Sequence, residues 1–308
     1  MSTTKPRGVH AMEVTSPSAI VGTVLDHVAQ AVPSWQAAWG RYATDLGAEW
    51  SSGGPNVGFA PGQLRFGNGA RIELLMPFEP ERNDFLARFL ARSGPGPHHL
   101  TFKVPDLDVA LDVAKGSGYV PINEDRSDPE WFEAFLHPKA ATGIVVQLAQ
   151  SPITWVSDPP PDYPTDRRLR SATSRPASSA DLLRVCHVVA DLDEALALFV
   201  TLLDGRVADE GDAGGIRWAD VTWSGPLSLR LIASARPDAD PEIDAWLDGR
   251  AGRVRHLELV VQDASEVSGV VTPASRLAVV DNTDDRGRLC EIGPEANFGL
   301  GLVLVDRR

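Results

Sequence analysis

Four side chains able to bind a cation stand at matching places in one local pattern that recurs along the first half of the chain: His27, Glu73, His99 and Gln147. The clearest instance is Gly94 to Ala114, GPGPHHLTFKVPDLDVALDVA. Leu100, Phe102 and Val104 form one apolar register, and His99, Thr101 and Lys103 form the polar one. Alternate side chains of a strand point to opposite faces, so one face enters a core while the other lines a cavity. His27 shares its face with Ala29 and Ala31, Glu73 with Leu75, and Gln147 with Val145 and Ala149. The opposite faces carry larger residues such as Ile72, Leu74, Met76, Ile144, Val146 and Leu148. Two imidazoles, one carboxylate and one amide oxygen, converging from four strands, can hold a divalent cation and leave positions open for water or substrate.

The elements that must position these groups follow from the same pattern. Val24 begins a strand, Pro33-Ser34 breaks it, and a helix carrying Trp35, Ala38, Trp39 and Tyr42 ends at Leu46-Gly47. Short strands are expected at Val57–Phe59 and Gln63–Phe66, and the Asn68-Gly69 turn leads into a strand from Ala70 to Met76. Residues 94–150 repeat the order: strand, helix from Leu107 to Lys115, then strands near Tyr119–Ile122, Trp131–His137 and Gly143–Ala149. Phe85, Leu86, Phe89 and Leu90 predict a connecting helix between the two units.

The pattern then returns in RVCHVVADLDEALALFVTLLDGRV and RVRHLELVVQDASEVSGVV. The same 26-residue step separates Glu73 from His99 and Arg230 from His256. The chain therefore reads as an internal duplication, each half built from two copies. The expected division is a flexible lead-in over 1–22, a first domain over 23–150, a proline-rich linker over 151–181 and a second domain over 182–308.

Composition sets outer limits. A chain of 308 residues with 43% apolar content can fill two cores. The formal charge of −13 argues against a nucleic-acid surface. No apolar run is long enough to span a membrane, and the first twenty residues lack the apolar core of a signal peptide. Cys186 and Cys290, each in an apolar stretch, read as buried free thiols, which with the missing signal gives a cytoplasmic expectation.

The stretch GPGPHHLTFKVPDL, the opening DHVAQAV, the strand RIELL and the ending FLHPKAATGIVVQL resemble the vicinal oxygen chelate superfamily, which includes glyoxalase I, methylmalonyl-CoA epimerase, extradiol dioxygenases and bleomycin-resistance proteins. The motifs are most similar to those of methylmalonyl-CoA epimerase. The resemblance covers nearly all of residues 24–150 and, more weakly, 183–306. It implies an α+β fold of two tandem domains, each of paired β-α-β-β-β modules forming a cupped sheet around a metal. The family's ligand positions fall on His27, Glu73, His99 and Gln147, with Zn, Fe, Mn, Co or Ni as the implied ion. At the last position glyoxalase I and the epimerase usually carry glutamate; Gln147 can ligate but cannot accept a proton.

Glu73 is then the remaining proton acceptor on the ligand face, with Thr101, Lys103 and His137 expected to touch substrate. The implied activity is metal-dependent epimerase, isomerase or lyase chemistry on a small substrate held through adjacent oxygens. The alternatives are an extradiol-type dioxygenase or a binding protein that sequesters a ligand. A homodimer is the expected assembly if one forms. His98 is expected to pack toward a helix. In the second half the matching residues are read as His187, Arg230, His256 and Val303, a set in which arginine and valine replace two donors. That set predicts a degenerate module, or an apolar pocket in which Arg230 meets an anion; Glu258 is the residue that could restore a site.

Overall fold

A strand leading through a capped turn into a helix opens each half. In the computed structural model, which describes residues 19–152, 179–236, 240–267, 272–273, 275, 277 and 289–307, the first strand β1 spans Val24–Ala31. Ser34 then accepts the Ala37 N–H and starts α1, Trp35–Trp39, which widens into a π-helical turn over Gly40–Asp45. The strands β2 (Glu49–Gly53), β3 (Gly58–Arg65) and β4 (Arg71–Phe78) complete the first unit. A connecting helix α2 (Phe85–Ser93) precedes the second: β5 (Gly96–Lys103), α3 (Leu107–Gly116), β6 (Pro121–Asp128), β7 (Trp131–Leu136) and β8 (Val145–Gln150).

The other half repeats this plan. It runs β9 (Asp181–Val189), α4 (Leu192–Leu196) with a π-helical turn over Ala197–Leu202, β10 (Arg206–Ala213), β11 (Ile216–Thr222), β12 (Ser228–Ser234), α5 (Pro241–Leu247), β13 (Gly252–Val261), β14 (Thr272–Pro273), β15 (Leu289–Ile292) and β16 (Gly301–Asp306). The two eight-stranded sheets have the same order, β2-β3-β4-β1-β5-β8-β7-β6 and β10-β11-β12-β9-β13-β16-β15-β14. The first helix of each half even changes from α to π geometry at the same point. The fold is α+β, with two modules of the same strand order in tandem, the arrangement that the sequence resemblance implies.

Two sequence expectations change in detail. The strands expected at Val57–Phe59 and Gln63–Phe66 are one strand, β3, and the strand β2 at Glu49–Gly53 was not foreseen. Gly62 sits mid-strand, where a Cβ would lie 3.0 Å from the Trp35 ring and 3.2 Å from Trp50. The lead-in to residue 18, most of the linker, His10 and the acidic stretch Asp281–Asp285 lie outside the described residues.

One apolar core joins the halves. It takes the outer face of each sheet with its helices, and Phe102 meets Phe199 and Trp223 there at 6.0 and 5.2 Å between ring centroids. Around it the backbones touch at paired places. A Cβ on Gly143 would lie 2.1 Å from the Gly252 carbonyl oxygen, and one on Gly299 would lie 2.0 Å from that of Pro95, beside Gly96. Gly96 and Gly252 open β5 and β13, and Gly143 and Gly299 precede β8 and β16. The same contact is thus made twice with the halves exchanged, as in a two-fold dimer, here within one chain. The inner faces remain for separate use. Leu86 of α2 covers Ala29, Ala31 and Leu75 in the first cup, and Ile243 and Leu247 of α5 cover Val188 and Ile232 in the second.

Candidate metal centre

Strand pairing brings the first-half quartet onto one surface. In the ladders Ala29 lies opposite both Glu73 and His99, and Thr101 lies opposite both His27 and Gln147. His27 Nε2 is 3.7 Å and His99 Nε2 is 3.5 Å from Glu73 Oε2. One ligand atom from each of the three lies within 4.8 Å of the others, and all three residues are buried. Two atoms bound to one cation at about 2.1 Å stand about 3.0–3.4 Å apart, so the cluster is close to ligand spacing.

The surroundings fix which atoms face inward. His99 Nδ1 contacts His98 Nδ1 at 2.9 Å, which leaves His99 Nε2 buried with no hydrogen-bond partner among the described residues. Leaving such an atom unsatisfied costs about 1–3 kcal/mol, which a bound cation would relieve. His98 packs against Phe85 and Phe89 of the connecting helix, as expected, and so orients His99. His27 Nδ1 is 2.8 Å from Asp26 Oδ2, and Asp26 also pairs with Arg71. A carboxylate behind a histidine is the arrangement that fixes a ligating imidazole and raises its basicity. Asp26 was not singled out from the sequence. Neighbours on a strand normally face opposite ways, and a bulge between Leu25 and His27, invisible in the sequence, brings the two together.

Thr101 links the rest. Its hydroxyl donates to Gln147 Oε1 at 2.5 Å and lies 2.9 Å from His27 Nε2. Gln147 Nε2 donates to Glu133 Oε2 at 2.6 Å, and Trp131 Nε1 donates to the same oxygen at 2.6 Å. Gln63 donates to Glu73 Oε1 at 3.2 Å. Lys103 stands 3.8 Å from Asp26 and 5.8 Å over the Trp131 ring. His137, expected near substrate, is exposed on the turn after β7, where its Nδ1 accepts the Lys139 N–H. Glu133, Trp131 and Gln63 are further polar groups that the sequence did not mark; their alternation along β7 and β3 is the only signal they carry.

These contacts set the charges. Burial alone would push the His27 imidazole down, but Glu73 and Asp26 outweigh it and hold its pKa at about 9. Burial would raise the Glu73 carboxyl, and His27, His99 and Gln63 instead hold it at about 2. His99 is pushed down to about 3 by burial and by His98 and His27, against the pull of Glu73. Glu133 is raised, chiefly by burial, although Trp131 and Gln147 oppose this.

The second cup carries a different chemistry. Arg230 and His256 both lie opposite Cys186, so Cys186 takes the place of Ala29 and Arg184 that of His27. His187, the residue matched from sequence, is three positions further on and faces the other way. Its Nε2 is 2.8 Å from the Thr142 carbonyl oxygen of the first half, and its ring stands 6.4 Å from Phe199. The quartet is therefore Arg184, Arg230, His256 and Val303. Arg230 does not wait for an anion: its Nε and Nη2 each donate to Asp220 at 2.7 Å, over the Trp218 ring. Arg184 donates to Asp220 at 2.6 Å and stands 3.4 Å from Glu258, which is thereby engaged. Two guanidinium groups at ligand positions disfavour a cation there.

With this geometry, comparison with known proteins identifies the family. A relative, the ethylmalonyl-CoA/methylmalonyl-CoA epimerase of Cereibacter sphaeroides, is 34% identical over 136 residues, covering 41% of this chain and 96% of the relative. The chain belongs to the glyoxalase/bleomycin resistance protein/dioxygenase superfamily. The family model of that description matches residues 26–135. The mitochondrial methylmalonyl-CoA epimerase of Homo sapiens is 31% identical over 132 residues, 41% of this chain and 73% of that protein. A triple mutant of 4-hydroxymandelate synthase from Streptomyces coelicolor has a similar fold across both halves, with a TM-score of 0.61 at 16% identity over 96% of this chain and 95% of that one. Among the described residues no helix is long and apolar enough to cross a membrane, and both cysteines are free and buried.

Proposed function

We propose that the first module is a metal-dependent enzyme of epimerase or isomerase type, acting on a small substrate that presents two adjacent oxygens. The observation that carries this reading is the buried His27–Glu73–His99 cluster, in which His99 Nε2 has no hydrogen-bond partner among the described residues and faces Glu73 Oε2 at 3.5 Å. His27 and His99 would hold the cation through Nε2, Glu73 through Oε2 and Gln147 through its amide oxygen. The bound ion would supply a Lewis acid that stabilises negative charge developing on a substrate oxygen.

The chain's own residues do the rest. Asp26 and His98 hold the two imidazoles in place, and Gln63 holds the other Glu73 oxygen. Glu73 would be the group that takes the proton from carbon, because it is the carboxylate of the set and Gln147 cannot accept one; the imidazoles of His27 and His99 and the Gln63 amide, which hold its carboxyl at about 2, keep it ionised and ready to accept. Thr101 and Lys103 lie beside the ligand set, and Lys103 can meet a substrate anion by releasing Asp26. The relatives' names direct the substrate class to acyl-CoA thioesters with a carboxylated α-carbon. The test is exchange of the α-proton of methylmalonyl-CoA with deuterated water, using protein whose metal content has been measured. Exchange that follows metal content and fails in Glu73→Gln, with metal retained, supports the reading. A Glu73→Gln variant as active as its parent refutes Glu73 as base.

One observation favours a second reading. Two histidines and one carboxylate with open positions is also the ligand set of non-haem iron(II) oxygenases. Substrate-dependent oxygen uptake by the iron-loaded protein, without proton exchange, would select it.

A further inference from the structure

The amide of Gln147 has two ends, and only the oxygen can ligate a cation. Its neighbour Thr101 cannot decide which end faces inward, because a hydroxyl both donates and accepts. Glu133 can decide. Its carboxylate only accepts, it lies 2.6 Å from Gln147 Nε2, and a reversed amide would set oxygen against oxygen at that distance. Glu133 is itself held by the Trp131 indole N–H, two residues away on the same face of β7. No cation pairs with Glu133 among the described residues, so its known work is to accept these two N–H groups.

We infer that Glu133 is a positioning residue of the metal centre: it locks the Gln147 amide with its oxygen toward Thr101 and His27, and it requires an amide, not a carboxylate, at position 147. This rests on the metal reading above. The pair forms a matched unit across β7 and β8, whose ladder sets Glu133 opposite Ala149 and Phe135 opposite Gln147. A carboxylate at 147 would meet that of Glu133 and be repelled. With glutamine there, the ligand set carries one carboxylate, Glu73, and a second negative charge is kept one strand away. The acceptor and donor roles are interchangeable between the two positions, which gives the inference a sharp test.

Full-length protein stripped of metal is titrated with cobalt(II), reading affinity and the visible absorption of the ion, which reports its ligands. Glu133→Leu frees the amide and is expected to weaken cobalt binding about 10- to 100-fold with an altered spectrum. Glu133→Gln, whose amide oxygen still accepts from Gln147, is expected to stay within about threefold of the parent. Gln147→Glu alone is expected to bind worse than the parent. The exchange variant E133Q/Q147E restores a donor–acceptor pair and puts a carboxylate on the ion, so it is expected to bind at least as tightly as the parent. If Gln147→Glu does not fold, Glu133→Leu and the exchange variant still decide. Glu133→Leu with parental affinity and spectrum overturns the inference, as does an exchange variant that binds worse than Glu133→Leu. A parent protein that takes up no cobalt, or binds it equally after His99→Ala, overturns the metal reading and this inference together; cobalt uptake indifferent to Glu133 overturns the inference alone.

Discussion

Metal uptake should release one proton at neutral pH, and that proton should come from His27. In the metal-free protein His27 titrates at about 9, while His99 titrates at about 3 and Glu73 at about 2. At pH 7 the last two are already in their ligating forms, neutral imidazole and carboxylate. His27 alone carries a proton on the nitrogen that must bind. Two pH units separate pH 7 from about 9, so its removal costs about 2.7 kcal/mol at pH 7. Apparent affinity should therefore climb about tenfold per pH unit from 7 to 9, about 100-fold in all, and then level off. Calorimetric titration of the stripped protein with cobalt(II), at one pH in buffers of different ionisation enthalpy, counts the released proton. Asp26→Asn removes one of the groups that raise His27 and should move the rise to lower pH, while loosening the imidazole and lowering the plateau. Affinity that is flat from pH 7 to 9 with no proton released, in a protein whose binding is abolished by His27→Ala, would refute the reasoning.

Three further outcomes follow from the same contacts. The stripped protein should lose stability in acid: His98, His99 and His187 titrate at about 4, 3 and 4 when folded and near 6.5 when unfolded, so the unfolded chain binds more protons as pH falls below 6.5. Each costs up to about 1.4 kcal/mol per pH unit in that window, whereas the His27 contribution is complete below 6.5 and disappears as pH rises through about 9; equal urea midpoints at pH 6.5 and 4.5 would contradict this. Asp220→Ala should destabilise the protein by about 3–5 kcal/mol without changing metal content, because it strips Arg230 and Arg184 of their shared carboxylate; a loss below about 1 kcal/mol in chemical unfolding would show that the network is not structural. Gly252→Ala should cost at least about 2 kcal/mol, since its Cβ would fall 2.1 Å from the Thr142 carbonyl oxygen where the halves meet, and a thermal midpoint equal to the parent's would refute that contact.

Comparing the two cups shows why one half was legible and the other was not. In the first, alternation on β5 separated His99 from His98 and placed Thr101 and Lys103 on its face, because a strand's side-chain period is fixed by its backbone. In the second, placing the repeats in register reads His187 as the match of His27. The ladder sets Arg184 there instead, a shift of three residues, and an odd shift reverses the face. Pairing between strands far apart in sequence decides that register, and no local pattern encodes it.

The order of elements, the duplication and the four candidate ligands were determined by the sequence alone, since apolar alternation, helix spacing and turn residues act over a few positions and repeat wherever the unit repeats. Tertiary structure decided what surrounds those ligands. A bulge turned Asp26 toward His27, the connecting helix brought Phe85 and Phe89 against His98, and adjacent strands set Glu133 on the Gln147 amide and Gln63 on the Glu73 carboxylate. Each partner, apart from the adjacent Asp26 and His98, comes from another element, so its approach depends on sheet register and packing and not on spacing along the chain. The same holds for the divergence of the cups: Asp220 reaches Arg230 and Arg184 only across β11, β12 and β9, and that meeting fills with fixed charge a space where the first half sets Glu73 between the His27 and His99 imidazoles.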